Sequence, residues 1–213
     1  MASKPVLWGR GSSTNVQKVI WTAHELGIEA ERRLVGGPFG GNRTADFLAL
    51  NPNGTVPVWQ DDAFVLWESH AIMRHLARQE GHMYGDTPEA IAKTDQWLDW
   101  YALVFWPPVR LLFLDIFQTD QVPDEGNGGT AALAAAHRNL SLIDGTPTDF
   151  FTLENARPNL AEVSLAIGIN RMLGLGFGIA LPQRIAEWHD TVRKRPGFLL
   201  ATEDEPDMPG HRS

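Results

Sequence analysis

Residues 51–77 read NPNG-TVPVW-QDDA-FVLW-ESHAIMRHLA, a turn, an apolar run, a second turn, a second apolar run and a helix start. Asn51-Pro52-Asn53-Gly54 is dense in residues that bend the chain. Val56-Pro57-Val58-Trp59 and Phe64-Val65-Leu66-Trp67, joined by Gln60-Asp61-Asp62-Ala63, read as a β-hairpin. Glu68-Ser69 then opens a helix with Ile72, Met73 and Leu76 on one face. Upstream, residues 5–8 (PVLW) form a short buried strand that stops at Gly9-Arg10-Gly11. Val16, Val19, Ile20, Ala23 and Leu26 recur at helical spacing behind the candidate caps Ser13, Thr14 and Asn15, and Gly27 stands where a C-cap glycine belongs. Residues 29–35 make a second strand, parallel to the first across a right-handed crossover. Gly36–Gly41 is a flexible loop, and Thr44 caps a short helix to about Leu50. The first eighty residues therefore spell βαβαββα, an α/β layer with a small mixed sheet.

Downstream the pattern changes. Residues 81–88 are a polar, turn-rich linker, and Thr87-Pro88-Glu89 starts a helix with proline at its first position. From 89 to 213 the chain is all-helical, with no convincing strand. Ile91, Thr94, Trp97, Leu98, Tyr101 and Phe105 keep helical spacing until Pro107-Pro108 kinks or ends the segment. Residues 131–143 are an alanine-rich helix. Asn159-Leu160-Ala161-Glu162 has the spacing of a capping box. Residues 182–194 form the last clear helix, and the polar residues beyond Leu200 read as a solvated tail.

Composition narrows the chemistry. The 213 residues carry 26 acidic and 18 basic side chains, a net charge of −8, which disfavours a phosphate-binding nucleic-acid face. There is no cysteine, so disulfides, thiolate metal sites and cysteine nucleophiles are excluded. The seven histidines show no metal-ligand spacing, so no metal is expected. No stretch of eighteen apolar residues or signal-like start appears, so the chain reads as soluble and cytoplasmic, without a membrane partner.

Three places invite function. Ser12-Ser13-Thr14-Asn15 at the strand–helix junction serves either as an N-cap or as an anion site at a helix N-terminus. Gly9-Arg10-Gly11 suggests a phosphate loop only weakly, because Thr14 replaces the third glycine of the dinucleotide fingerprint. Val56-Pro57 is either an edge-strand proline or a cis bond beside main chain that an extended ligand can pair. Glu68-Ser69 at a helix start serves as a cap or as a grip on an amino acid's ammonium and carboxylate.

Together these positions resemble the cytosolic glutathione transferases, in particular bacterial theta- or nu-like members of the serine type. The motifs are Gly54-Thr55-Val56-Pro57-Val58, Leu66-Trp67-Glu68-Ser69-His70-Ala71-Ile72 and Ser13-Thr14-Asn15-Val16-Gln17-Lys18-Val19. The resemblance implies a thioredoxin-like domain over 1–80 followed by a helical domain over 89–213 that holds a second-substrate pocket. It implies glutathione as substrate, its thiol held as thiolate by Ser13, with Asn15 supporting or replacing it and Ser12 as competitor. Val56, next to Pro57, would pair with the cysteinyl moiety, and Glu68 and Ser69 would hold the γ-glutamyl end. Thr55 stands where many relatives carry lysine, so Asn42 or Arg43 is left for the glycyl carboxylate. Tyr101, Phe105 and Arg110 would line the pocket of a small electrophile or peroxide. With Tyr84 and Tyr101 remote from the first strand, a tyrosine-type enzyme is excluded. The lack of cysteine excludes the thiol-transferring and dehydroascorbate-reducing branches. A homodimer follows from the resemblance alone. The rival reading on the same scaffold is a non-catalytic glutathione-binding stress or interaction protein.

Overall fold

The computed structural model describes residues 4–119, 129–146 and 157–203. They form two compact units, one of residues 4–90 with 196–203 and the other of residues 91–195. In the first, β1 (Val6–Trp8) lies between parallel β2 (Glu31–Arg33) and antiparallel β3 (Val58–Asp61), and β4 (Phe64–Trp67) pairs outside β3. Leu7 sits opposite Arg32 on one side and Trp59 on the other, giving the order β2-β1-β3-β4. The mixed four-stranded sheet with helices is the α/β architecture expected. The hairpin turns at Asp62, whose φ of 49° is the left-handed geometry such tight turns need.

Helix α1 (Thr14–Leu26) packs its apolar stripe on the sheet, with Val16, Val19, Ile20 and Trp21 buried. It ends at Gly27 in the left-handed conformation, where the Ile28 N–H also closes back on the Ala23 carbonyl. Helix α3 (Ser69–Glu80) buries Ile72, Met73 and Leu76 beside it. On the opposite side, α2 (Ala45–Leu50) is capped by Thr44 and drives Phe47 into a small cluster with Val35 and Val58. The glycine loop between β2 and α2 is not wholly irregular, because Gly37–Phe39 makes one 3-10 turn.

The second unit contains α4 (Pro88–Trp100), which begins at the division, α5 (Trp106–Thr119), α6 (Gly129–Gly145), α7 (Leu160–Gly174) and α8 (Gln183–Val192). Thr87 Oγ1 accepts from the Ala90 N–H, so the threonine–proline start of α4 is as read. The irregularity expected at Pro107-Pro108 comes one turn earlier, as a π turn over Tyr101–Phe105. The two prolines fall in the first turn of α5 and do not stop it. Pro108 has no N–H to give the Val104 carbonyl, and Asn139 of α6 donates its side-chain amide there instead, at 3.0 Å. Helix α7 is buried on nearly every side, which explains its uniformly apolar sequence.

One element was not legible. Helix α9 (Pro196–Thr202) follows α8 and belongs to the first unit, packed on α1. Phe198 meets the Trp21 ring edge-on at 5.2 Å. The chain therefore stays helical past Leu200, where a tail was expected, and Ala201 is buried. The rest of that tail, 204–213, lies outside the described residues.

Candidate functional site

The loop that carries the first candidate residues is shaped by Gly9. It lies at φ 150°, and a Cβ there would come 2.5 Å from Val16 Cγ2 and 3.2 Å from Val56 Cβ. Only a bare backbone lets β1, the first turn of α1 and the loop before β3 approach so closely. Ser13 then occupies the N-cap position with extended geometry, and its carbonyl accepts from Gln17, but its side chain makes no capping bond. The hydroxyl is not spent on the helix. Ser12 accepts from Arg10 Nε at 3.2 Å.

The other helix start behaves in the same way. Glu68 is the N-cap of α3 at φ 73°, ψ 117°, strained for a residue with a Cβ, and its carboxylate does not cap. The next side chain, Ser69, donates to Asn15 Oδ1 at 3.4 Å, although the two are 54 residues apart. The starts of α1 and α3 are thus brought side by side, with N–H dipoles and polar side chains on both.

Beneath them lies a buried polar contact that the sequence reading did not single out. Lys18 of α1 is buried, with Nζ 3.1 Å from His70 Nε2 of α3. Burial pushes its pKa down to about 7, opposed by the nearby Glu68 carboxylate. Burial also holds the His70 ring well below its ordinary value, with the Lys18 and Arg74 charges adding to that effect, so His70 stays neutral. Lys18 was hidden because its position falls off the apolar spacing and reads as a solvated helix charge.

The loop before β3 contains the cis Val56-Pro57 bond. Val56 packs against both Gly9 and Gly36, next to the Ser12–Ser13 loop. Thr55 is exposed, and its position is set by buried Asn51, whose amide donates to the Thr55 carbonyl at 2.8 Å and to its hydroxyl at 3.2 Å. Asn51 read only as a turn residue. Asn42 donates to the Gly54 carbonyl at 2.8 Å and Arg43 to that of Asn53 at 3.3 Å. Both therefore hold the loop that carries Thr55 and Val56.

Ser12, Ser13, Asn15, Val56, Glu68 and Ser69 are assembled around the two helix starts. Tyr101, Phe105 and Arg110 belong to the second unit. Tyr101 and Phe105 are buried in its core, stacked at 5.5 Å and seated against Gly168 of α7, whereas Arg110 is exposed. Among the described residues no cluster of three or more potential metal ligands occurs.

Comparison with known proteins adds the family. Residues 12–79 match the model of the glutathione S-transferase N-terminal domain. Glutathione S-transferase GstB of Escherichia coli K12 is 31% identical over 194 residues, covering 89% of this chain and 93% of the relative. The chain belongs to the glutathione S-transferase family. It is an enzyme of that class. Glutathione S-transferase 3 of Zea mays is 34% identical and covers 90% of each chain. The theta class glutathione S-transferase of Xanthomonas axonopodis pv. citri, solved with glutathione bound, superposes with a TM-score of 0.82 at 34% identity, covering 94% of this chain and 97% of that one. The family assignment and the fold agree with the motifs at 13–19, 54–58 and 66–72.

Proposed function

We propose that this transferase binds glutathione at the paired starts of α1 and α3 and uses its thiolate against a small electrophilic carbon or a peroxide oxygen. The observation that carries the reading is the pair of helix starts whose polar side chains, the Ser13 hydroxyl and the Glu68 carboxylate, are not consumed in capping. In this reading Glu68 takes the γ-glutamyl ammonium, and Ser69 with the α3 N–H groups takes its carboxylate. Val56, beside Pro57, pairs its main chain with the cysteinyl moiety. Thr55, with the loop that Asn42 and Arg43 brace, faces the glycyl end. Arg110 is the exposed member of the trio assigned to the second substrate, and Tyr101 and Phe105 shape the turn that precedes it.

Ser13 donates to the thiolate, with Asn15 assisting and Ser12 adjacent. A free thiol titrates near ~8.5, and lowering that by two units stabilises the thiolate by about 2.7 kcal/mol. One hydroxyl donor to a charged acceptor supplies ~1.5–3 kcal/mol and a helix N-terminus adds ~0.3–1. The two together are sufficient. The homodimer, the cytoplasmic location and a role in detoxification come with the same reading.

The test is turnover of an aryl halide with glutathione as a function of pH. Ser13→Ala is expected to move the acid limb of the profile to higher pH and to cut turnover more at about pH 6.5 than at about pH 9, with affinity little changed. A shift with Asn15→Ala and none with Ser13→Ala would transfer the principal role to the asparagine. Glutathione binding without turnover across electrophiles and peroxides would favour the non-catalytic reading. Light scattering reads the assembly, and a monomer at micromolar concentration refutes the dimer.

A further inference from the structure

Arg10 has no part in the roles assigned so far, yet its side chain is built into the site. Its main chain anchors the junction, the N–H donating to the Val35 carbonyl at 3.1 Å and the carbonyl accepting from the Ser13 N–H at 3.2 Å. The side chain turns back over the glycine loop. A Cβ on Gly37 would come 2.9 Å from Arg10 Cδ, 3.0 Å from Nε and 3.1 Å from Cζ, so the guanidinium lies flat against backbone that only glycine leaves bare. A Cβ on Gly36 would meet Arg10 Nη1 at 3.5 Å and Val56 Cγ1 at 3.7 Å, so one end of the guanidinium and the Val56 side chain both border this glycine. Nε donates to Ser12 Oγ at 3.2 Å. The groups against it, Gly36, Gly37 and Ser12, carry no charge, and among the described residues no carboxylate pairs with it.

We propose that Arg10 is a positioning residue for the reaction, a cation fixed between the Ser12–Ser13 loop and Val56 that keeps the thiol of bound glutathione ionised. The inference rests on the thiol lying at Ser13. A guanidinium is charged at every working pH, so its field on the thiolate does not titrate away. Through its bond to the Ser12 hydroxyl it also fixes the loop that carries Ser13. Glu68, at the start of α3, has a field that opposes the thiolate, and it lies near the buried Lys18 of α1. Arg10 is held against the serine loop itself.

The experiment is titration of the bound thiol by ultraviolet thiolate absorbance in the wild type, Arg10→Gln, Arg10→Lys and Ser13→Ala, with glutathione affinity measured on each. Arg10→Gln is expected to raise the bound thiol pKa by about one unit, a roughly tenfold loss of thiolate well below the pKa. Affinity measured at about pH 6, where bound glutathione is largely in the thiol form in every variant, should change by less than about threefold. Arg10→Lys, which keeps the charge and loses the planar bed on Gly37, should fall between the two. A bound thiol pKa unchanged in Arg10→Gln but raised in Ser13→Ala would overturn the inference and leave the site reading standing. Loss of affinity at unchanged thiol pKa would also overturn it, assigning Arg10 to a carboxylate of the ligand. A wild-type complex with an undepressed thiol brings down the site reading itself, and this inference with it.

Discussion

Lys18 is the side chain whose burial runs most plainly against its chemistry. The pair it makes with His70 ties α1 to α3 directly below the two helix starts. In the unfolded chain the amine titrates at its ordinary 10.5, and burial in the fold lowers that to about 7. Between those values the unfolded state binds the additional proton, so this group makes stability rise with pH across that window. Lys18→Met should remove the slope. Its melting temperature relative to wild type is expected to fall steadily from pH 7 to pH 10, and a difference that grows instead refutes the assignment. Glu68 presents the opposite case, an exposed carboxylate in a strained backbone position. Glu68→Ala should weaken glutathione binding at least tenfold by calorimetry, because a charge-assisted contact of roughly 1.5–3 kcal/mol is removed.

The elements are held by a few local devices that can be tested one at a time. The capping box on α7 is complete: Asn159 Oδ1 accepts from Ala161 and Glu162, and the Glu162 carboxylate accepts from the Asn159 N–H at 2.9 Å. Asn159→Ala should cost about 1 kcal/mol in urea denaturation. Midway along the same helix, a Cβ on Gly168 would press to 2.7 Å from Tyr101 Cε2 and 2.8 Å from Phe105 Cε1. Gly168→Ala should therefore destabilise by roughly 1–3 kcal/mol despite alanine's better helix propensity. A neutral or stabilising result would show that the rings can withdraw. The capping box was visible in the sequence because it is written in four consecutive residues. The Gly168 contact was not, because its two partners lie more than sixty residues away on another helix.

Across the molecule, the end of the chain completes the unit that its beginning starts. Phe198 of α9 covers Trp21, and Gly197 allows the approach because any Cβ would collide with the indole. Phe198→Ala should cost about 3–5 kcal/mol by denaturant unfolding, and truncation after Arg195 should cost more. From sequence alone came the βαβαββα order, the change to helices after the linker, both caps at Thr87 and Asn159, and the cluster of serines, asparagine and glutamate at two helix starts. All of these rest on spacing within a dozen residues, where apolar periodicity and turn chemistry are decided locally. What only the tertiary structure decided were relations over long separations. They are the burial of Lys18 against His70, the release of Ser13 and Glu68 from capping, the bed of Arg10 on Gly37, the Asn139 amide that serves the carbonyl Pro108 cannot, and the return of α9 to α1. A side chain's burial and its partner depend on which distant surface closes over it, and a short apolar helix near a chain end carries no local mark of the face it will cover.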